Sequence, residues 1–273
     1  FRIFAREGEF GVYNIIFNYP GDTLQASFSL DVKGEHPAVN VLLNTNEIDT
    51  RYFNVDPTKE AEKKPESDEG KKKWSEDLID MSWMEGIGGA FDISIGKLQY
   101  NDKAFEHIKL RAKLENSLMT LSGLSFTYWQ GRCSVNGSLY GGKVPGLSIG
   151  FTLYNAELQD ILHSIAARDN ITGKISISGT LSTSGVNYLS WISQADSEMI
   201  FTGRGVVVDG FNLQGVVDAV AVSRTAADVL NNVNLSLVKG STEMSIDGNV
   251  NVKGGMMRTP GITVRAGSVT GNL

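Results

Sequence analysis

Two short motifs in the chain match signatures of serine nucleophiles. The segment GLSIG, residues 146–150, matches the G-x-S-x-G nucleophile elbow, and SLVK, residues 236–239, matches S-x-x-K. The elbow needs a strand before the serine and a helix after it, and S-x-x-K belongs at the start of a helix. Both motifs lie inside segments that alternate apolar and polar residues, which is typical of strands. We therefore predict that Ser148 and Ser236 are strand residues without a catalytic role.

The residues that most often bind metals or act as general bases are few and scattered. The chain has three histidines, and neither a second histidine nor the single cysteine lies at ligand spacing from any of them. We predict surface positions for His107 and His163, and a small strand residue in Cys133. No catalytic constellation emerges, so the sequence predicts a non-enzymatic protein with no metal and no cofactor.

The glycine-rich stretch FTGRGVVVDGFNLQGVVDAV, residues 201–220, raises the possibility of a phosphate-binding loop. Such a loop needs glycines that open a helix and a spacing of G-x-G-x-x-G. The spacing of Gly203, Gly205 and Gly210 does not match. Valine runs flank Asp209-Gly210, and the pattern predicts a β-hairpin that turns at this pair.

Alternation with period two dominates the rest of the chain. ASFSLDVK, IKLRAKLE, LSIGFTLY, ISISGTLS and MSIDGNVNVK each place apolar residues on one face of a strand and polar residues on the other. One-sided strands of this kind favour antiparallel pairing, because parallel strands are usually apolar on both faces. The apolar face must be covered by a second sheet, by helices or by a ligand, and the alternation is the same in each case.

Three segments have helical spacing, and one is rich in charge. We predict short helices near 156–167, with Asn155 as a possible cap, near 185–195 and near 224–232. Residues 56–77 combine dense mixed charge with two prolines and almost no apolar residues, which predicts a disordered loop between strands.

Composition narrows the class of partner. The formal net charge is −6, which argues against a nucleic-acid partner. No apolar run reaches the roughly 18 residues that a membrane-spanning helix needs. The opening FRIFAREGEF does not look like an initiating sequence, so we expect a fragment of a longer protein.

The order of features resembles the AsmA family of bacterial envelope proteins, with its related TamB and YhdP groups. The resemblance begins at Trp74-Ser75 and continues through a strand pair that turns at Asn101-Asp102. A stretch resembling the pattern L-x-x-G-x-L-x-x-L through Leu118 to Leu124 and the segment GSLYGG at 137–142 come next. The LQDILHSI helix and TGKISISGTLSTSG at 172–185 follow. In the stretch from residue 201, the family pattern is matched by Gly203, Gly205, Asp209, Gly210 and Gly215. Val217-Asp218-Ala219 departs from the usual Asp-Leu ending.

The resemblance implies a fold and a function. It implies a mostly β chain whose large, curved antiparallel sheet forms an elongated, β-taco-like groove, with residues 1–55 as its N-terminal part and 78–273 as its C-terminal part. It implies a non-enzymatic periplasmic protein that binds or transfers phospholipid for the outer membrane, is anchored in the inner membrane by a helix upstream of Phe1, and has possible outer-membrane protein partners. The expected lining residues are Phe28, Leu30, Ile108, Leu110, Leu114, Ile149, Phe151, Ile177, Met244, Ile246 and Val250.

An alternative remains open at this stage. The same residues could fill the closed core of a β-sandwich, and the pattern alone favours that arrangement. The protein would then be a structural or adhesive module of the bacterial cell surface, built as a sandwich or a solenoid.

Overall fold

A computed structural model describes residues 1–19, 22–53, 75–101, 103–166, 170–210, 212–223, 225 and 240–272. The predicted loop at 56–77 and the predicted helix at 224–232 lie almost entirely outside these residues, as does the SLVK motif. The strands are β1 (Arg2–Arg6), β2 (Glu9–Tyr19), β3 (Asp22–Asp31), β4 (Ala38–Asp49), β5 (Gly88–Tyr100), β6 (Lys103–Glu115), β7 (Leu118–Tyr128), β8 (Gly131–Tyr140), β9 (Gly146–Glu157), β10 (Ile171–Ser184), β11 (Asp196–Asp209), β12 (Ser241–Lys253), β13 (Met256–Ala266) and β14 (Val269–Asn272).

The strands form one sheet in which spatial order follows chain order from β1 to β14. The expected fold class is confirmed: the chain is mostly β, with a large, curved, mainly antiparallel sheet and a few short helices. Short turns with left-handed residues join many neighbouring strands, as at Asn116-Ser117 and Gly254-Gly255. This is the hairpin geometry that allows consecutive strands to pair.

The pairing of β4 with β5 departs from the expected antiparallel arrangement. β4 pairs with β5 in parallel, from Ala38 opposite Gly88 to Asp49 opposite Gln99. Two neighbouring strands can be parallel only if the connection between them crosses back to the end of the sheet at which the first strand began. The described parts of this connection include the 3-10 helices Thr50–Phe53 and Ser82–Met84.

β-Bulges interrupt several strands and bend them. In β2 the register shifts between Val12 and Ile15, where Asn14 is left-handed and its N–H lies 3.4 Å from Ser27 Oγ. In β6 the left-handed residue is His107, at a shift against β7. In β13 the bulge includes Pro260, which has no N–H to contribute to a ladder. Each bulge adds local twist, so regular alternation becomes a curved surface.

Within the described residues, three short α-helices lie between strands: α1 (Leu158–Ala166), α2 (Tyr188–Ser193) and α3 (Leu213–Val222). The helices expected near 156–167 and 185–195 are confirmed. Asn155 does not begin α1, because it lies within β9, where it is left-handed and donates its backbone N–H to Ser176 Oγ at 3.0 Å.

The hairpin predicted at Asp209-Gly210 is wrong. β11 does end at Asp209, but the valines that follow form α3 rather than a strand. The Asn212 side chain accepts a hydrogen bond from Gly215 N at 2.8 Å and so caps the helix. A capped start therefore outweighs the strand preference of the valines.

The chain divides into two compact units. Unit 1 comprises residues 1–128, 133–150 and 181–196, and unit 2 comprises residues 129–132, 151–180 and 197–273. Unit 1 contains β1 to β7 and α2, and unit 2 contains α1, α3 and β12 to β14.

Candidate functional site: the apolar face of the sheet

In unit 1 the strand registers assemble three transverse rows of apolar residues across β2 to β7. The first row contains Phe10, Leu30, Val39, Gly89, Leu114 and Met119. The second contains Val12, Phe28, Val41, Phe91, Ala112 and Leu121. The third contains Ile15, Ala26, Leu43, Ile93, Leu110 and Leu124. The three rows, which we call the apolar face of unit 1, contain no polar side chain.

This face is only partly covered. Gly89, Ala112 and Leu114 are buried, whereas Phe10 and Phe28 are 49% and 42% exposed. The other residues of the three rows are half-buried. A closed sandwich core of this size would bury most of such side chains almost completely. The face therefore keeps an accessible apolar surface along several strands.

The opposite face of the same strands is mainly polar, although it includes Leu42, which is 53% exposed. One of its rows contains Ser27, Leu42, Asp92 and Arg111, and Arg111 Nε lies 3.2 Å from Asp92 Oδ2. Lys113 pairs with Glu115 at 2.6 Å. A shallow depression of about 430 Å³ lies on this face, lined by apolar groups, Leu42 among them, as well as by the polar side chains. Its cations already have carboxylate partners, so the depression lacks an uncompensated charge to select a ligand.

Unit 2 has an apolar face of the same kind on β11 to β13. Ile246 lies opposite Val264, and Gly248 lies opposite Ile262. The ring of Phe201 covers Gly248, since a Cβ placed there would lie 2.5 Å from the ring. The polar face of β12 has Asp247 between Arg204 and Arg265, at 3.2 and 2.8 Å. The two faces of this part of the sheet are therefore as distinct as those of unit 1.

The eleven predicted lining residues are divided between the two units. Four of them belong to the three rows of unit 1: Phe28, Leu30, Leu110 and Leu114. Ile108 lies two residues before Leu110 on β6, opposite Ile95 of β5. Ile149 lies in the part of β9 that belongs to unit 1, and Phe151, Ile177, Met244, Ile246 and Val250 lie in unit 2. Only Leu114 is fully buried, and only Phe28 counts as exposed.

Sequence reasoning missed part of the face. Val39, Val41 and Leu43 on β4 belong to the rows, as do Phe91 and Ile93 on β5. The alternation of Phe91, Ile93 and Ile95 was a sufficient signal for β5. The parallel partner of β4 had no local signal at all, because pairing direction depends on a distant segment.

The residues that could support catalysis are not brought together. Ser148 is an exposed residue within β9, and the three histidines are exposed. Cys133 is half-buried in β8, and burial raises the pKa of its thiol, which disfavours the nucleophilic thiolate. Among the described residues no group of three or more His, Cys, Asp or Glu side chains could hold a metal ion.

Comparisons with protein-family models, with curated proteins and with solved structures find no match to this chain. Within the described part of the chain, no helix is long and apolar enough to cross a membrane. The resemblance to the AsmA family stays a prediction.

Proposed function

We propose that the protein binds phospholipid acyl chains along the apolar face of its sheet and acts as a non-enzymatic lipid-binding or lipid-transfer protein. The observation that carries this proposal is the apolar face of unit 1, whose three rows contain no polar side chain and remain largely half-buried. An open apolar face of this extent is a surface that a soluble chain normally covers.

An acyl chain suits this surface for a physical reason. Apolar burial contributes about 25 cal/mol per Å², or about 0.8 kcal/mol for each methylene that leaves water. A long chain that crosses several strands therefore binds well without a directional contact. The phosphate-bearing end stays in water, so no ionisable residue needs a shifted pKa.

The cellular setting belongs to the same proposal and rests on the AsmA-like order of motifs. A member of that family would work in the periplasm, anchored in the inner membrane in the full-length protein, and would assist phospholipid transport and envelope assembly. Outer-membrane proteins would be possible partners.

Native mass spectrometry of the gently purified protein tests the proposal directly. We expect co-purifying phospholipid, released by organic solvent and identified by its mass. A protein that carries no lipid and takes up none from phosphatidylethanolamine vesicles would contradict the proposal.

A neighbouring pair of β4 substitutions separates an open face from a closed core. Val41 lies between Phe28 and Phe91 in the second row, whereas Asn40 is exposed on the polar face. On an open face, the carboxylate of Val41→Asp can reach water. We therefore expect the free energy of unfolding to fall by only about 1–2 kcal/mol, while bound lipid falls several-fold. In a closed core, the same buried carboxylate would cost several kcal/mol.

Asn40→Asp is the matched control, because it adds the same charge at the neighbouring residue, on the polar face. We expect its lipid content and urea midpoint to stay near those of the unaltered protein. Collapse of the fold in Val41→Asp would favour the sandwich, and with it a structural or adhesive module.

A further inference from the structure

Three connecting segments of unit 1 meet at one end of the strands. They are Ser75–Ile87, which precedes β5, residues 141–145, which join β8 to β9, and residues 185–195, which include α2. Ile79 N donates to Val186 O at 2.8 Å, and Leu189 N donates to Ser75 O at 3.1 Å. Gly185 N donates to Pro145 O at 2.9 Å. We call these three segments the rim surface.

The rim surface exposes large apolar side chains. Leu78 is 76% exposed and Trp83 is 54% exposed. The other large exposed side chains of the rim surface are Val144, Val186, Tyr188 and Ile192. Aromatic and aliphatic side chains at this density are typical of an interaction surface, in which a few anchors contribute most of the binding free energy.

The rim surface is also preformed. Met84 is fully buried, and its Sδ lies so close to Gly141 that a Cβ at that glycine would sit 2.6 Å away. Asn187 and Ser190 form a capping box at the start of α2. These contacts hold the segments in place, so a partner would bind without ordering them first.

The charge of the rim surface selects among partners. Its carboxylates are Glu76, Asp77, Asp80 and Glu85, all exposed, and Lys143 is its single cation. The Ser82 side chain and Ser82 N–H hydrogen-bond to Asp80 and lower the pKa of its carboxyl group, which favours the ionised form. The surface therefore combines apolar anchors with a negative rim.

We propose that the rim surface docks a protein segment that presents an apolar face flanked by lysine or arginine. Such a segment places apolar side chains on Leu78 and Trp83 and its cations beside the carboxylates. An anionic bilayer fits less well, since such membranes attract basic rather than acidic surfaces. The proposal does not depend on lipid binding by the apolar face.

A fluorescein-labelled helical peptide of leucine and lysine, with all leucines on one face, is a suitable probe. We expect saturable binding to the full 273-residue chain by fluorescence anisotropy, and at least tenfold weaker binding of a scrambled peptide of the same composition. Leu78→Ser/Trp83→Ser should weaken binding at least tenfold through loss of the anchors. Glu76→Lys/Glu85→Lys should do the same through charge reversal, with a larger effect at low salt.

Two variants away from the rim surface are matched controls. Tyr154→Ser removes an equally exposed aromatic residue, and Glu243→Lys reverses an exposed charge. Both should bind the peptide within twofold of the unaltered protein, as should Val41→Asp, which distinguishes this surface from the lipid-binding face. Circular dichroism confirms that each variant is folded.

Three results would overturn the proposal. The first is binding of the peptide that is unchanged in both rim variants. The second is binding of vesicles that contain phosphatidylglycerol, lost in the rim variants, in the absence of peptide binding. The third is concentration-dependent self-association that the rim variants abolish while the peptide does not bind, which would identify a second copy of the chain as the partner.

Discussion

Asp247 shows how a single residue can order the polar face of a sheet. It lies on β12, and arginines of two neighbouring strands, Arg204 and Arg265, reach it from either side. The hydrogen bond from the Arg204 side chain is the main reason that the pKa of this carboxyl group is lowered. The ion pairs therefore connect three adjacent strands on the side opposite Ile246.

The lowered pKa of Asp247 predicts the pH dependence of this contribution. A carboxyl group with a depressed folded-state pKa adds stability above its unfolded pKa, near 3.9, and this stability is lost as pH falls through the folded value. Because both arginines are mostly exposed, we expect Asp247→Asn to lower the free energy of unfolding by only about 0.3–1 kcal/mol at pH 7.

Urea titrations of Asp247→Asn and the unaltered protein at pH 7, 5 and 3 measure this difference. It should persist at pH 5 and shrink towards zero as the pH falls below 4. Glu243→Gln, at an exposed position on the same strand, is the control for the loss of one negative charge. A difference that is constant over the whole range would mean that the ion pairs do not stabilise the fold.

At the scale of elements, capping decides where helices interrupt the sheet. Both α2 and α3 begin after an asparagine whose side chain accepts a backbone hydrogen bond, from Ser190 N at 2.8 Å and from Gly215 N at 2.8 Å. Neither helix is long enough to be stable alone. The cap, together with packing against the strands, makes each helix the preferred structure at its position.

The α2 cap is open to a direct test. Asn187→Ala removes the acceptor for Ser190 N, so we expect a loss of about 1 kcal/mol in the free energy of unfolding. Asn187→Ser keeps a capping oxygen and should retain most of that stability. Chemical denaturation measures both variants, and an equal loss in the two would show that the hydrogen bond is not the stabilising feature.

Across the whole molecule, stability should follow position in the sheet. Along its length β6 pairs with β5 on one side and β7 on the other, whereas β1 pairs with β2 alone. Strands paired on both sides open less readily than edge strands. We therefore expect the inner strands, which form most of the apolar face, to open less often than the edge strands.

Hydrogen-exchange mass spectrometry tests this ordering in the 273-residue chain. Peptides from the centre of β6, around Leu110 and Ala112, should exchange most slowly, and peptides from β1 and β14 should exchange fastest. Uniform protection from edge to centre would contradict the prediction. Addition of phospholipid should slow exchange in β2 to β7 if the apolar face binds it.

Much of the strand structure and the composition of the two faces could be predicted from the sequence. The alternation around Phe28 and Leu30, or around Ile108 and Leu110, depends only on the geometry of a strand, which places successive side chains on opposite sides. A different local signal, the helical spacing of apolar residues, located the helix at 158–166. These features need no knowledge of which segments meet in space.

Other features depended on contacts between distant residues. The parallel pairing of β4 with β5, the bulge at His107 and the helix at 213–222 each arise where a partner strand or a cap outweighs local preference. Coverage of the apolar face is of the same kind, because an alternating strand looks identical in a closed core and on an open sheet. Only the tertiary structure shows that Phe28 and its neighbours keep part of their surface accessible, since accessibility is decided by what the rest of the chain places above them.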